Sequence, residues 1–444
     1  MRVVRIGSGA GYSGDRIDPA VELAERGALS YLVFECLAER TIALAQRARL
    51  SDPSAGFDPL LEERMEAVLP LCARNGTRIV TNMGAANPLG AMMKTRDVAR
   101  RLGLHGLRIA AITGDDVLCL VVDEGFTLQE NGLPAAAIGD RLISANAYLG
   151  IEPIVSALQA GADVVLTGRI ADPALFLAPL VSEFGWPAND WNQMGQGTVI
   201  GHLLECAGQI TGGYFSDPGY KDVPNLARLG FPLAEVSDDG SAIITKVDGS
   251  GGMISRATCT EQLLYEIQDP AAYFTPDVVA DFSQVDLELV GPDRVRVTGG
   301  RGRRRPDTLK VSVGIHDGFV GEGQISYAGP GARQRAEMAR AILAERLSAC
   351  SLEELRFDLI GIDSIHGDRL SKATCDPWEV RLRAAGRASS QRAASIIARE
   401  VESLYTNGPF GGGGVAGFTR ETVGILTTFI PRDKVRTRLY MEIS

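Results

Sequence analysis

The feature that most constrains the fold is an alternation in the N-terminal part of the chain, where short continuous apolar runs are separated by helix-length amphipathic segments. The runs are Arg2 to Gly7, Ser30 to Cys36, Thr77 to Asn82, Leu107 to Thr113 and Ala162 to Thr167. A strand without polar alternation is covered on both faces, which is the situation of a parallel sheet. Between the runs, one helix is expected to start with Asp18 as N-cap and Pro19 in its first turn, closing near Gly27. A second begins around Glu39, and a third, LLEERMEAVLPLCARNG, ends at Gly76. Repeated β-α-β units of this kind predict an α/β fold, with a mostly parallel N-terminal sheet flanked by helices.

A chain of 444 residues exceeds one compact core, so two domains are expected. The texture changes after residue 235. Ala242 to Gly252 reads as a strand and turn, residues 284 to 328 as hairpins, and Ala332 to Ser348 and Arg387 to Tyr405 as long helices. The expected division is an α/β domain over 1–235 that carries the site and an α+β domain over 236–444.

Parallel sheets bind ligands beyond the carboxyl ends of their strands. In this chain those ends are Gly7 to Asp18, Glu35-Cys36, Asn82 to Asn87, Gly114-Asp115-Asp116 and Gly168 to Asp172, all polar, acidic or glycine-rich. One site built from five strand ends is therefore expected. Asp115 and Asp116 suit a general base or a divalent-ion ligand, and as a plainer role either caps the next helix. Arg169 suits a two-pronged clamp on a carboxylate, whereas Asp172, before Pro173, has the form of a helix cap. His202 and Glu205 fall on one helix face, as an acid–base pair, as two metal ligands or as a structural hydrogen bond. Asn82, Asn87 and Asn146 are read as loop asparagines able to donate to an oxyanion. Lys221 could bind an anion, or pair with Asp217 or Asp222.

Gly9, Gly11 and Gly14 follow the G-x-G-x-x-G order of a dinucleotide turn, with Glu35 near the place of a ribose-binding acid. A true dinucleotide turn opens directly into its helix, but here Asp15, Arg16 and Ile17 intervene before Asp18. The loop is instead expected to present Asp15 and Arg16 to a different ligand. The glycines of GPFGGGG near the C-terminus could cradle phosphates or form a mobile loop.

A net charge of −10 argues against nucleic acid, and no apolar stretch reaches the length of a membrane span. The basic run Arg301-Gly302-Arg303-Arg304-Arg305 reads as a solvated loop. The N-terminus has no secretory signal, and seven scattered cysteines, at 36, 72, 119, 206, 259, 350 and 375, form no C-x-x-C pair. A cytoplasmic location with reduced thiols is expected, Cys36 and Cys206 being inert packing.

The stretches GSGAGYSGDRIDPAVELAERG, YLVFECLAERTIALAQ, TNMGAANPLGA, SANAYLG, VLTGRIADPALFLAP, GHLLECAGQITGGYF, DPGYKDVPNLARLGFP and GEGQISYAGPGAR, with the GPFGGGG tail, span nearly the whole chain. In these the chain resembles the acyclic terpene utilisation family, linked to catabolism of citronellol- and geraniol-type compounds. The resemblance implies an anionic small-molecule substrate, a branched acyl-CoA thioester or carboxylic acid, handled by hydration, dehydration or carbon–carbon cleavage. It supplies no catalytic residues. Some members carry a further small C-terminal domain, which a separate small protein could supply here.

The leading expectation is a lyase or hydratase. Asp115, Asp116 or Glu35 would move the proton, Arg169 would hold the anion, and Asn82 or Asn87 would face the oxyanion. Asp15, Arg16, Asn146, Asp172, His202, Glu205 and Lys221 complete the substrate-binding candidates. No cofactor is assigned, and magnesium held by carboxylates stays open. The rival readings are a nicotinamide-dependent oxidoreductase using Gly9, Gly11, Gly14 and Glu35, and a non-catalytic acyl-CoA-binding subunit. A homo-oligomer is expected for a metabolic enzyme of this size.

Overall fold

The computed structural model describes residues 2–371 and 377–444, so Cys375 lies outside the described residues. In chain order the strands are β1 (Val3–Ala10), β2 (Tyr31–Phe34), β3 (Arg78–Thr81), β4 (Arg108–Thr113), β5 (Leu142–Ala147) and β6 (Val164–Thr167). They continue with β7 (Pro232–Ser237), β8 (Ala242–Lys246), β9 (Tyr273–Phe274), β10 (Val279–Asp281), β11 (Asp286–Gly291), β12 (Arg294–Thr298) and β13 (Arg301–Arg303). The last are β14 (Thr308–Ala328), β15 (Glu354–Ile360), β16 (Glu379–Ala388), β17 (Gly413–Pro431) and β18 (Arg438–Ile443).

The main sheet runs in the order β11-β12-β8-β7-β1-β2-β3-β6-β4-β18. Its centre, β1-β2-β3-β6-β4, is parallel throughout. Antiparallel pairs extend it through β7 on one side and β18 on the other. The apolar runs are explained by covering on both faces. Tyr31 and Val33 point into a core formed with the helices Glu152–Gln159, Ala174–Phe184 and Trp191–Glu205. Leu32 and Phe34 point the other way, into a core with the helices Asp18–Arg26, Leu61–Asn75 and Pro88–Arg101. The five expected parallel strands and the expected fold class are present.

The compact units are Met1–Gly314 with Ile425–Ser444, and Ile315–Gly424. These bounds differ from a division at 235. Strands β7, β8, β12 and β11 continue the same sheet outward from β1, so the change of texture marks a switch from parallel to antiparallel pairing. In the second unit β14, β15 and β16 pair antiparallel. Its core joins Ile325, Tyr327 and Leu382 to Leu343 and Leu347 of the helix Ala332–Ser348, and to Ile397 and Leu404 of the helix Gln391–Asn407. The chain passes between the units inside β14 and β17.

Several local expectations are corrected. The first helix has Ile17 at its N-cap with no side-chain cap, and Asp18 lies inside the first turn, bound by Arg16. Arg387 sits in β16, and the last long helix starts at Gln391 behind the capping side chain of Ser390. Arg301 to Arg303 form β13, paired with β10, instead of a loop. Gly413 and Gly414 open β17. Asn146 lies in β5, not in a loop, because its strand pairs with β14 far along the chain. Among the described residues no helix is long and apolar enough to cross a membrane.

Candidate functional site

The carboxyl ends of the parallel strands meet through direct hydrogen bonds. Glu35, just past β2, accepts from Asn82 Nδ2, just past β3, at 2.8 Å, and from its own Leu37 N–H at 2.9 Å. The Asn82 Oδ1 accepts from Cys36 N–H at 2.7 Å, so one amide clips two strand ends together. Arg169, just past β6, donates to the carbonyls of Leu37 and Ile170 and pairs with Asp172. Asp115, beyond β4, accepts from Arg169 N–H and from Asn146 Nδ2, both at 2.9 Å. Gly168 makes this approach possible, since a Cβ there would stand 2.5 Å from the Asp115 carboxylate.

Burial governs the electrostatics. The Glu35 carboxyl is pushed up to about 8 by burial and by the neighbouring Asp172, against the pull of Arg169. Asp115 is raised to about 6 by burial, against its two donors. Glu205 is raised well above the carboxylate range by burial and by Asp172 and Glu266. His202, whose Nδ1 lies 2.8 Å from Glu205 Oε1, is lowered to about 4 by burial and is neutral, packed beside Tyr273 and Phe282. Arg169 is only 1% exposed, and the carboxylate of Asp172 holds its charge against desolvation. Burial also raises Asp172, yet its side chain is 39% exposed and ion-paired with Arg169, so we assign the pair as ionised. Asp172 is thus the group of the cluster that water reaches most freely.

These shifts set a pH dependence of stability. A carboxyl whose folded pKa exceeds its unfolded value binds more protons when folded, so its contribution is full at low pH and is lost as pH rises through the folded value. For Glu35 that window runs from the ordinary carboxylate value, 4.5, to about 8. The neutral His202 acts in the opposite sense, between about 4 and 6.5. Above pH 6.5 the carboxyls dominate. The melting temperature is expected to fall by a few degrees between pH 6.5 and 8.5, reflecting about 2 kcal/mol from Glu35. Calorimetry showing a flat or rising melting temperature over that range would contradict these assignments.

The other sequence candidates are placed elsewhere or put to other uses. Asn87 caps the helix Pro88–Arg101, accepting from Gly90 N–H at 2.9 Å, while its amide donates to the carbonyls of Pro53 and Ala55. Asp116 is exposed and bonds Leu118 N–H and Gln46 at 3.3 and 3.4 Å. Arg16 is an exposed partner of Asp18. The Lys221 ammonium pairs with Glu261 at 2.5 Å and lies over Phe215, while only the Lys221 backbone bonds Asp217. Asp172 is not a cap, since the helix Ala174–Phe184 has Pro173 at its N-cap and no side-chain bond there.

The glycine turn does not form a phosphate cradle. Gly9 lies inside β1 against the Phe34 ring, Gly11 touches the Cys206 backbone, and Gly14 abuts the Tyr12 ring. The loop's own N–H groups are taken: Asp15 accepts from Gly11 and Arg16 at 2.9 and 2.8 Å. An anion would have to displace that carboxylate, so we do not assign cofactor contacts to Gly9, Gly11 and Gly14.

Sequence reasoning missed the groups that brace the site. Arg64, fully buried, donates to the carbonyls of Ser13 and Asp15 at 2.9 and 3.1 Å, pairs with Asp58, and so fixes the glycine loop. Tyr148 lies under Arg169 at 4.6 Å and Lys310 at 5.3 Å, and its hydroxyl donates to Glu39 at 2.8 Å. Lys310 also pairs with Glu39, at 2.7 Å. Tyr148 and Glu39 do fall within the stretches that carried the resemblance, which is the one signal that could have found them. Among the described residues no group of three or more His, Cys, Asp and Glu side chains is arranged to hold a metal ion.

No curated protein and no solved structure gives a significant match to this chain. Residues 4–441 match the family described as acyclic terpene utilisation family protein AtuA. The chain therefore belongs to that family, and its role lies in acyclic terpene utilisation.

Proposed function

We propose that this protein is a catabolic enzyme that adds water to, or removes it from, a branched carboxylic acid or its CoA thioester. Glu35 and Asp172 are its acid–base pair. The observation that carries the reading is a pair of adjacent carboxyls in opposite states. Glu35 is held neutral up to about pH 8, while Asp172 is ion-paired with Arg169 and open to water. Environments that push two titratable groups apart in this way assign an acid and a base.

In the dehydrating direction, the Asp172 carboxylate takes the proton from the carbon beside the carbonyl. Glu35 gives its proton to the departing hydroxyl, which leaves as water, and a double bond forms between the two carbons. Hydration runs in reverse. Glu35 remains 8% exposed, and no partner is found for its Oε2 among the described residues, so that oxygen is free for a substrate. Arg169 is a positioning residue in this reading, because its guanidinium is already spent on Leu37, Ile170 and Asp172. Asn82 likewise aims Glu35 and does not act as the oxyanion donor. The same pair would serve carbon–carbon cleavage of a 3-hydroxy acid, in which the base takes the hydroxyl proton and the acid protonates the leaving carbon.

The test is an assay of purified protein against branched enoyl- and 3-hydroxyacyl-CoAs and their free acids. Turnover of any of these that survives unchanged in Asp172→Asn would remove Asp172 from the role of base. The family's link to acyclic terpene utilisation supports the substrate class.

A further inference from the structure

We propose that a second site, at the arginine-lined groove around Trp191, binds a nucleoside diphosphate. Two adjacent cavities share Trp191. One, of about 600 Å³, is lined by Trp191, Arg304, Arg305, Asp307, Pro431, Arg432 and Asp433. The other, of about 480 Å³, is lined by Pro187, Asn189, Asp190, Trp191, Asn192 and Gly302. Volumes of this order suit a small organic ligand.

Two features set this groove apart from a solvated basic surface. First, Arg432 is half-buried and has no carboxylate within ion-pair distance among the described residues. Its Nη2 donates to the carbonyls of Pro276 and Pro306, and its Nε is buried with no partner. Burial and the neighbouring Arg305 both work against its charge, while Asp277, Glu152 and Asp307 support it from a distance. Second, two further arginines line the same cavity. Arg304 is 74% exposed and bonds Asp307 at 2.8 Å, and Arg305 bonds Glu152 at 2.5 Å. Three guanidiniums therefore face one cavity; Arg304 and Arg305 each hold one carboxylate, and Arg432 has none within ion-pair distance among the described residues. An incompletely paired guanidinium cluster is a site for phosphate oxygens, which it grips in parallel hydrogen bonds.

Trp191 supplies the second element of recognition. It is the aromatic residue common to both cavities, and an indole offers a planar face to a base. A diphosphate on the arginines with its base toward Trp191 uses both cavities at once. The ligand class is thus a diphosphate ester of a ring-bearing nucleoside, and the site is independent of Glu35 and Asp172.

Isothermal titration of the full chain with ADP and with inorganic pyrophosphate tests this. ADP is expected to bind more tightly than pyrophosphate. Arg432→Gln and Arg304→Gln should each weaken ADP at least about tenfold, the loss expected for one charge-assisted contact. Trp191→Leu should reduce ADP affinity toward that of pyrophosphate, and Glu35→Gln should leave ADP binding unchanged. Arg304 is exposed, so its variant keeps the test valid should Arg432→Gln fail to fold. The proposal is overturned by ADP that does not bind at millimolar concentration, by pyrophosphate binding as tightly as ADP, or by Arg304→Gln binding ADP as the parent does.

Discussion

Replacing Glu35 with Gln is expected to lower turnover about 10²- to 10⁴-fold, the range in which a positioned general acid contributes. The amide keeps the shape and can still accept from Leu37 and Asn82, but it cannot transfer a proton. In the dehydrating direction the wild-type rate should fall above pH about 8, because the form of Glu35 active there is the neutral carboxyl. The fall should be absent from the residual activity of Glu35→Gln. The same substitution should flatten the decline in melting temperature between pH 6.5 and 8.5, since the group that loses stability by ionising has gone. Kinetics and calorimetry thus report on one ionisation by independent routes. A variant that retains full turnover, with an unchanged pH profile, would remove Glu35 from the chemistry.

Arg169→Met is expected to destabilise the folded chain by about 2–4 kcal/mol, chiefly the cost of leaving the buried carbonyls of Leu37 and Ile170 without a donor. Arg169 serves Leu37 O, Ile170 O and Asp172 at once, so its loss leaves buried carbonyls without a donor and Glu35 beside an uncompensated Asp172. Arg169→Lys should recover only part of this. A single ammonium cannot reproduce a fork aimed at three acceptors, nor lie flat on the Tyr148 ring. Denaturant unfolding measures the loss directly. A change below about 1 kcal/mol for Arg169→Met would show that the guanidinium is not what ties the ends of β2 and β6 together.

The meeting of these strand ends was legible because it follows from topology. Once five apolar runs are read as parallel strands, Glu35, Asn82, Asp115 and Arg169 must emerge at one edge. The structure shows them joined by hydrogen bonds. Roles were less legible than positions. Arg169 reads as a ligand clamp from its residue type, but its guanidinium is engaged by carbonyls that sequence does not display. Asp172 before Pro173 has the local grammar of a cap, and the ion pair with Arg169 overrides it. The bracing groups were out of reach because their partners are distant in the chain: Arg64 meets Asp15 across 49 positions, and Tyr148 meets Glu39 across 109. Likewise β5 becomes a strand by pairing with β14, and β7, β8, β12 and β11 extend the first sheet well beyond residue 235. The glycine turn shows the converse. Its spacing is that of a phosphate loop, and only the Phe34 and Tyr12 rings and the Cys206 backbone reveal that those glycines serve packing.

The central claim, that Glu35 is a neutral carboxylic acid under working conditions, can be measured without knowing the substrate. Carbon-13 NMR of glutamate-labelled protein, with Glu35→Gln identifying the resonance, follows this one carboxyl through pH. A midpoint near 8 is the result expected, whereas a midpoint near the ordinary value of 4.5 would contradict it.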